Sequence, residues 1–230
     1  MSCCSCDGYQ SQFGEKHAAK DLRRYRKNGP DKTTRLLLDQ LKAAGVRGAS
    51  LLDIGGGIGV VHHELLNEGA DSAVHVDATA ANIDTASNEA AQRGHSDRVR
   101  FLRGDFLALA PEITPADVVT LDRVICCYPD MEQLVSASAA RAQRLWGAVF
   151  PRERFAVRAM AWIGNVFRQI TRNDFRTFIH SVDAIDAVLR REGLRPVSAR
   201  DTYVWRAVVY SRVSGRSFSP GPPDSARPGP

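Results

Sequence analysis

The sequence predicts an α/β fold: a doubly wound, Rossmann-like sheet with helices on both faces and ligands at the carboxyl ends of its strands. Between residues 50 and 150, short apolar strand patterns alternate with amphipathic helix patterns, as parallel strands joined by right-handed crossovers require. The first strand runs into Asp53-Ile54-Gly55-Gly56-Gly57-Ile58-Gly59, a strand-to-helix turn that lets a ligand approach the backbone and offers N–H groups at the helix start. Three acids, Asp53, Asp77 and Asp105, fall at or near the ends of three successive strands, on the edge where such sheets bind ligands.

The elements follow in order. Helices are expected over 15–27 and 32–45, parted by Asn28-Gly29-Pro30, and a strand over 50–54. A helix over 59–69, a strand over 73–77, a helix over 80–93 and a strand over 98–103 continue the alternation. The fourth strand is Ala116-Asp117-Val118-Val119-Thr120-Leu121. After it come a helix over 130–143 and a fifth strand over 145–150. Pro151 suits a helix first turn, and Phe155, Ala159, Ile163, Val166, Phe167 and Ile170 lie near one face of a segment reaching Thr171, amid five arginines. Three readings stay open for it: a lid, a membrane-surface contact, or a helix packed on the sheet, the last preferred. A helix over 182–193 and two closing antiparallel strands, 195–201 and 203–212, make seven strands in all.

With 230 residues, 43% hydrophobic and 25% charged, the chain can bury the core of one α/β unit. It divides into a flexible, Cys-containing segment 1–14, a helical cap 15–48, the main domain 49–213 and a disordered, Gly/Pro/Ser-rich tail 214–230. No apolar run reaches the roughly 18–20 residues of a membrane span, and the polar start lacks a signal-sequence core. The expected compartment is the cytoplasm. Cysteines 3, 4, 6, 126 and 127 make no disulfide framework, and Cys3-Cys4-Ser5-Cys6 lacks the paired spacing of a zinc site. No metal is therefore expected. Residues 15–35 hold eight basic residues against three acids. This accounts for the whole +5 excess and reads as a solvated helix face more readily than as a nucleic-acid surface. His62 and His63, adjacent on a helix, point about 100° apart and are assigned to its surface.

Glycines at 55, 57 and 59 put the third one residue too early for a dinucleotide fingerprint, whose last glycine is replaced by Val60. Leu51 to Gly59 instead resembles the first motif of class I S-adenosylmethionine (SAM) dependent methyltransferases. The resemblance implies SAM as cofactor, leaving as S-adenosylhomocysteine. Asp53, Gly55, Gly57 and Gly59 would form its turn, Asp77 with Ala78 would take the ribose, Asp105 the adenine amine and Phe106 the ring face. Backbone near Leu121 and Asp122 would border the methionine end.

The loop Asp122-Arg123-Val124-Ile125-Cys126-Cys127-Tyr128-Pro129 lacks the Asn/Asp-Pro-Pro-Tyr tetrapeptide of amino-directed enzymes. Its Tyr-Pro pair, the pattern Phe13, Ala18, Tyr25, Arg26, Gly29, and Asn165-Val166-Phe167 with Phe178-Ile179-His180 are similar to bacterial methyltransferases related to magnesium-protoporphyrin O-methyltransferase. Cys127 stands where that group commonly has histidine. The resemblance implies methyl transfer to a small-molecule acceptor, at a carboxylate or hydroxyl oxygen, with His180, Cys127 and Tyr128 as catalytic candidates. His180 is the preferred base, since its ordinary pKa lies near neutrality. Two alternatives remain: a metalloid or thiol methyltransferase using Cys126 and Cys127, and a non-catalytic SAM-binding interaction module. Oligomeric state is left open.

Overall fold

The computed structural model describes residue 9 and residues 12–213; Cys3, Cys4, Cys6 and the tail from residue 214 lie outside the described residues. Helices α1 (Glu15–Asn28) and α2 (Lys32–Ala44) precede β1 (Ser50–Ile54), α3 (Val60–Asn67), β2 (Ser72–Asp77), α4 (Ala80–Arg93) and β3 (Val99–Arg103). Then come α5 (Phe106–Leu109), β4 (Ala116–Asp122), α6 (Met131–Arg141), β5 (Ala142–Pro151), α7 (Phe155–Ile170), α8 (Val182–Arg191), β6 (Leu194–Asp201) and β7 (Trp205–Arg212). The seven strands form one sheet in the order β3-β2-β1-β4-β5-β7-β6. β1 to β5 are parallel, and β7 runs antiparallel between β5 and β6. The strand order reverses at β1, which opens a crevice at its carboxyl end.

Alternation along each strand decides which core it feeds. In β1, Leu51 joins the core under α2 and α3, with Leu37, Leu41 and Leu65, while Leu52 and Ile54 join the opposite core under α6 and α8. Val118 and Val119 of β4 divide the same way. α2 lies close on the sheet because β5 carries Gly147, where a Cβ would stand 3.0 Å from Leu37 Cδ1 and 3.2 Å from Leu41 Cδ2. Its start is capped by Asp31, whose carboxylate accepts from the N–H groups of Thr33 and Thr34, satisfying two orphan donors.

Three expectations are corrected. α6 ends at Arg141 and β5 begins at Ala142, because Ala142 pairs with Ala116 in the sheet, and ladder pairing outweighs local helix preference. α7 is not packed on the sheet: among its residues only Val157 is buried, while Phe155 is 88% and Ile170 75% exposed. Both sheet faces are already covered by α2, α3, α6 and α8, which leaves that stripe outside. His62 and His63 are not on the surface; both are fully buried.

Candidate active site

A cleft of about 490 Å³ opens at the carboxyl edge beside β1. The glycine turn and the end of β2 make its floor, α1 and residues 29–34 roof it, and Cys126 to Tyr128 with Phe175 close one end. The turn is tied down by the N–H groups of Gly55 and Gly56, both donating to Val76 O. Gly57 has φ +56°, and a Cβ there would meet no heavy atom within 4 Å. This backbone therefore faces the open cleft at a position that L side chains rarely adopt.

Asp77 ends β2 at the same floor. Its carboxylate accepts from Gly57 N–H (3.0 Å), Thr79 N–H and Oγ1 (both 2.9 Å) and Asn82 Nδ2 (3.2 Å). Burial pushes its pKa above the ordinary carboxylate value, against the pull of those donors. Ala78 lines the cleft beside it, as do Gly104 and Phe106, whereas Asp105 between them, expected at the adenine amine, does not. Asp105 caps α5 through Leu107 N–H and takes the Tyr128 hydroxyl at 2.6 Å, both on Oδ1. Burial and that carboxylate push the Tyr128 phenol far up, so it stays a donor.

Leu121 is fully buried in the core. Asp122 beside it is held by the Thr34 hydroxyl at 2.6 Å and by Arg123 Nε at 3.1 Å, and Arg123 also meets Asp31 at 2.8 Å. Burial opposes the charge on Arg123, but Asp122 and Asp31 outweigh it and hold its pKa above the ordinary value. The α2 cap is thereby bonded to the end of β4. Arg123 sits at φ +63°, and its carbonyl accepts from both Cys126 Sγ (3.4 Å) and Cys127 Sγ (3.6 Å). Both cysteines line the cleft, and the neighbouring Cys127 thiol lowers the pKa of Cys126.

Three further expected site residues lie elsewhere. His180 stands behind the loop, its Nε2 2.8 Å from the Tyr128 carbonyl and its ring 6.0 Å from that of Phe178. Burial lowers its pKa, while the Tyr128 and Ile125 carbonyls raise it. Asp53 is fully buried beneath the turn, accepting from Thr120 Oγ1 at 2.8 Å and standing 3.1 Å from His62 Nδ1. Gly59 starts α3 in the left-handed region and does not line the cleft. Sequence reasoning missed Thr34, Asn82 and Arg123, and it missed Arg168 and Phe175 at the far end, where the guanidinium lies 5.2 Å from the ring. Only the Asp31-Lys32-Thr33-Thr34 cap pattern signals any of these.

Sheet order, roofed cleft and glycine turn together give the fold of class I methyltransferases. Residues 51–145 match the protein-family model described as a methyltransferase domain. Within that class the chain resembles magnesium protoporphyrin IX methyltransferase from Synechocystis PCC 6803, at 18% identity over 88% of this chain and 100% of that one, with a TM-score of 0.67. An O-methyltransferase family protein from Burkholderia thailandensis also superimposes, at 18% identity, 88% and 64% coverage and a TM-score of 0.64. The same fold is found in the cyclase SpnF, at 14% identity, 79% and 82% coverage and a TM-score of 0.60, so reaction type has to be argued from the site. No curated protein sequence matches the chain.

Proposed function

We propose that the chain moves the methyl group of SAM to a carboxylate oxygen of a small, partly apolar molecule, with a hydroxyl oxygen as the other oxygen acceptor. The observation that carries the acceptor class is the far end of the cleft, where Tyr9, Phe13 and Phe175 stand with Arg168 among the lining residues. A guanidinium over an aromatic ring suits an anion on an apolar body. The magnesium protoporphyrin IX methyltransferase has been seen with SAM and with SAH, and the open space at Gly57 fits such a group, since a Cβ there would intrude on the cleft.

When bound, the cofactor supplies an electrophilic methyl group on a sulfonium. Asp77 would accept from its ribose hydroxyls, Phe106 would wall its ring and the Gly57 backbone would allow close approach. The Thr34, Asp122 and Arg123 cluster holds the end of β4 rigid beneath the acceptor. Tyr128 and Cys127 border the reacting region, but the Tyr128 proton is committed to Asp105. His180 is assigned as a positioning residue that fixes the Tyr128 carbonyl. A carboxylate is already an anion, so alignment and exclusion of water suffice for its transfer. The free thiol of Cys126 supports a reducing, cytoplasmic setting.

Incubation with methyl-labelled SAM and a small-molecule extract tests this. The label is expected in a product that releases methanol with alkali, as a methyl ester does and an ether does not. SAM binding without any transfer would favour an interaction module. Label entering methylated arsenic after arsenite addition, and lost in Cys127→Ser, would favour the metalloid reading that the paired thiols suggest.

A further inference from the structure

Strand register brings an unusual polar row onto one apolar sheet face. Asp53 of β1 lies between His75 of β2 and Thr120 of β4, and His62 comes down on them from α3. All four are buried, with relative exposures of 0 to 1%. With His63 and His95 close by, this cluster gathers four of the chain's six histidines. A buried carboxylate among imidazoles needs a partner for each lone pair.

Asp53 Oδ2, His62 Nδ1 and His75 Nδ1 stand 3.1, 3.2 and 3.9 Å apart. Such a triangle places all three atoms about 2.0 Å from one common centre, the bond length of zinc to imidazole nitrogen and carboxylate oxygen. His62 Nδ1 offers one in-plane site, either a proton or a lone pair, so it cannot donate to Asp53 Oδ2 and accept from His75 Nδ1 at once. The Nε2 atoms of His62 and His75 are buried without a hydrogen-bond partner among the described residues, whereas the carboxylate is oriented. The Thr120 hydroxyl donates to the other carboxylate oxygen, the orienting contact that metal-bound carboxylates receive. Gly56 needs no left-handed backbone, yet a Cβ there would stand 2.6 Å from both Asp53 Oδ2 and His75 Nδ1. Gly59, already in the left-handed region at φ +88°, would also place a Cβ 2.5 Å from His62 Cε1.

We infer that Asp53, His62 and His75 form a metal site for a zinc-class divalent ion, lying beneath the glycine turn and separate from the methyl-transfer cleft. Two imidazoles and one carboxylate suit zinc. The site joins β1, β2 and α3 directly below the turn, so its role is to brace Gly55 to Gly59. Binding releases whatever protons the ligands carry and leaves the imidazoles neutral and the carboxylate ionised.

The test uses untagged full-length protein grown with zinc, its metal content read by plasma mass spectrometry. About one zinc per chain is expected, kept in His17→Gln and in the Cys3/Cys4/Cys6→Ser variant, and lost in His62→Gln and Asp53→Asn. Because a core variant can fail to fold, the wild-type protein is also stripped with chelator and titrated. Zinc at a hundredfold excess over its Kd should raise Tm by about 5–10 °C. Cobalt(II) should give tetrahedral ligand-field bands without a thiolate charge-transfer band. The inference is overturned if the stripped protein gains no stability with zinc, cobalt, nickel, manganese or iron(II), or if bound zinc follows the N-terminal cysteines.

Discussion

A side chain added at Gly57 has open cleft around it but a φ of +56° to adopt. Gly57→Val is therefore expected to fold with a strain of about 1–2 kcal/mol and to lose SAM affinity by more than tenfold, as calorimetry would show. Asp77→Asn keeps the shape of the site but removes the charge that a ribose diol would meet. A loss of about 1.5–3 kcal/mol, or roughly 10- to 150-fold in SAM affinity, is expected. Unchanged affinity in the folded variant would remove Asp77 from the cofactor site. At the other end, Arg168→Ala should raise KM for an anionic acceptor about tenfold or more and leave SAM affinity as it was, since that guanidinium lies at the end of the cleft proposed for the acceptor. Asp77 was legible because strand ends and acids can be read from local pattern. Arg168 and Phe175 were not, since nothing local brings residues 168 and 175 to the turn at 55–59.

Among the elements, α2 depends on its cap. Asp31→Ala removes the acceptor for two N–H groups and the 2.8 Å contact with Arg123. Burial raises the Asp31 pKa, and Arg123 with the Thr34 and Thr33 donors overcomes that and holds it low. The variant should lose about 1–2 kcal/mol and roughly 2–8 °C in Tm. α7 makes the opposite case. Trp162 and Phe167 are 67% and 66% exposed, so Trp162→Ser and Phe167→Ser should each change folding stability by no more than about 0.5 kcal/mol in urea denaturation. A larger loss would mean that this face is covered in solution. The amphipathic pattern located α7 correctly and misdirected its burial, because periodicity shows that a face is apolar without showing what meets it.

Over the whole molecule, the acid stability of the metal-free protein turns on the buried imidazoles. Burial, the largest cause in each case, pushes His62 and His75 down to about 3 and His63 to about 2. Unfolded histidines titrate near 6.5, so between about pH 3 and pH 6.5 the unfolded chain binds more protons than the folded one. Stability is full above that window and falls as pH drops into it, by up to about 1.4 kcal/mol per pH unit for each histidine. Melting curves of the chelator-stripped protein from about pH 7.5 down to pH 5 should show Tm falling steadily. A flat profile would mean that these rings are solvated. Among the described residues no helix is long and apolar enough to cross a membrane.

Alternation, glycine spacing and the acids at strand ends determined the seven-stranded α/β class, the glycine turn and the place of Asp77, because each is a short-range consequence of backbone sterics. The tertiary structure alone decided the rest. Asp53 and His75 are 22 positions apart in sequence, yet parallel register sets them side by side, and the arrival of α3 turns His62 from an apparent surface residue into their neighbour. His180 leaves the cleft for the back of the loop through a contact across 52 residues. Side-chain neighbours across a sheet or under a helix are chosen by packing of the whole chain, which local pattern does not encode.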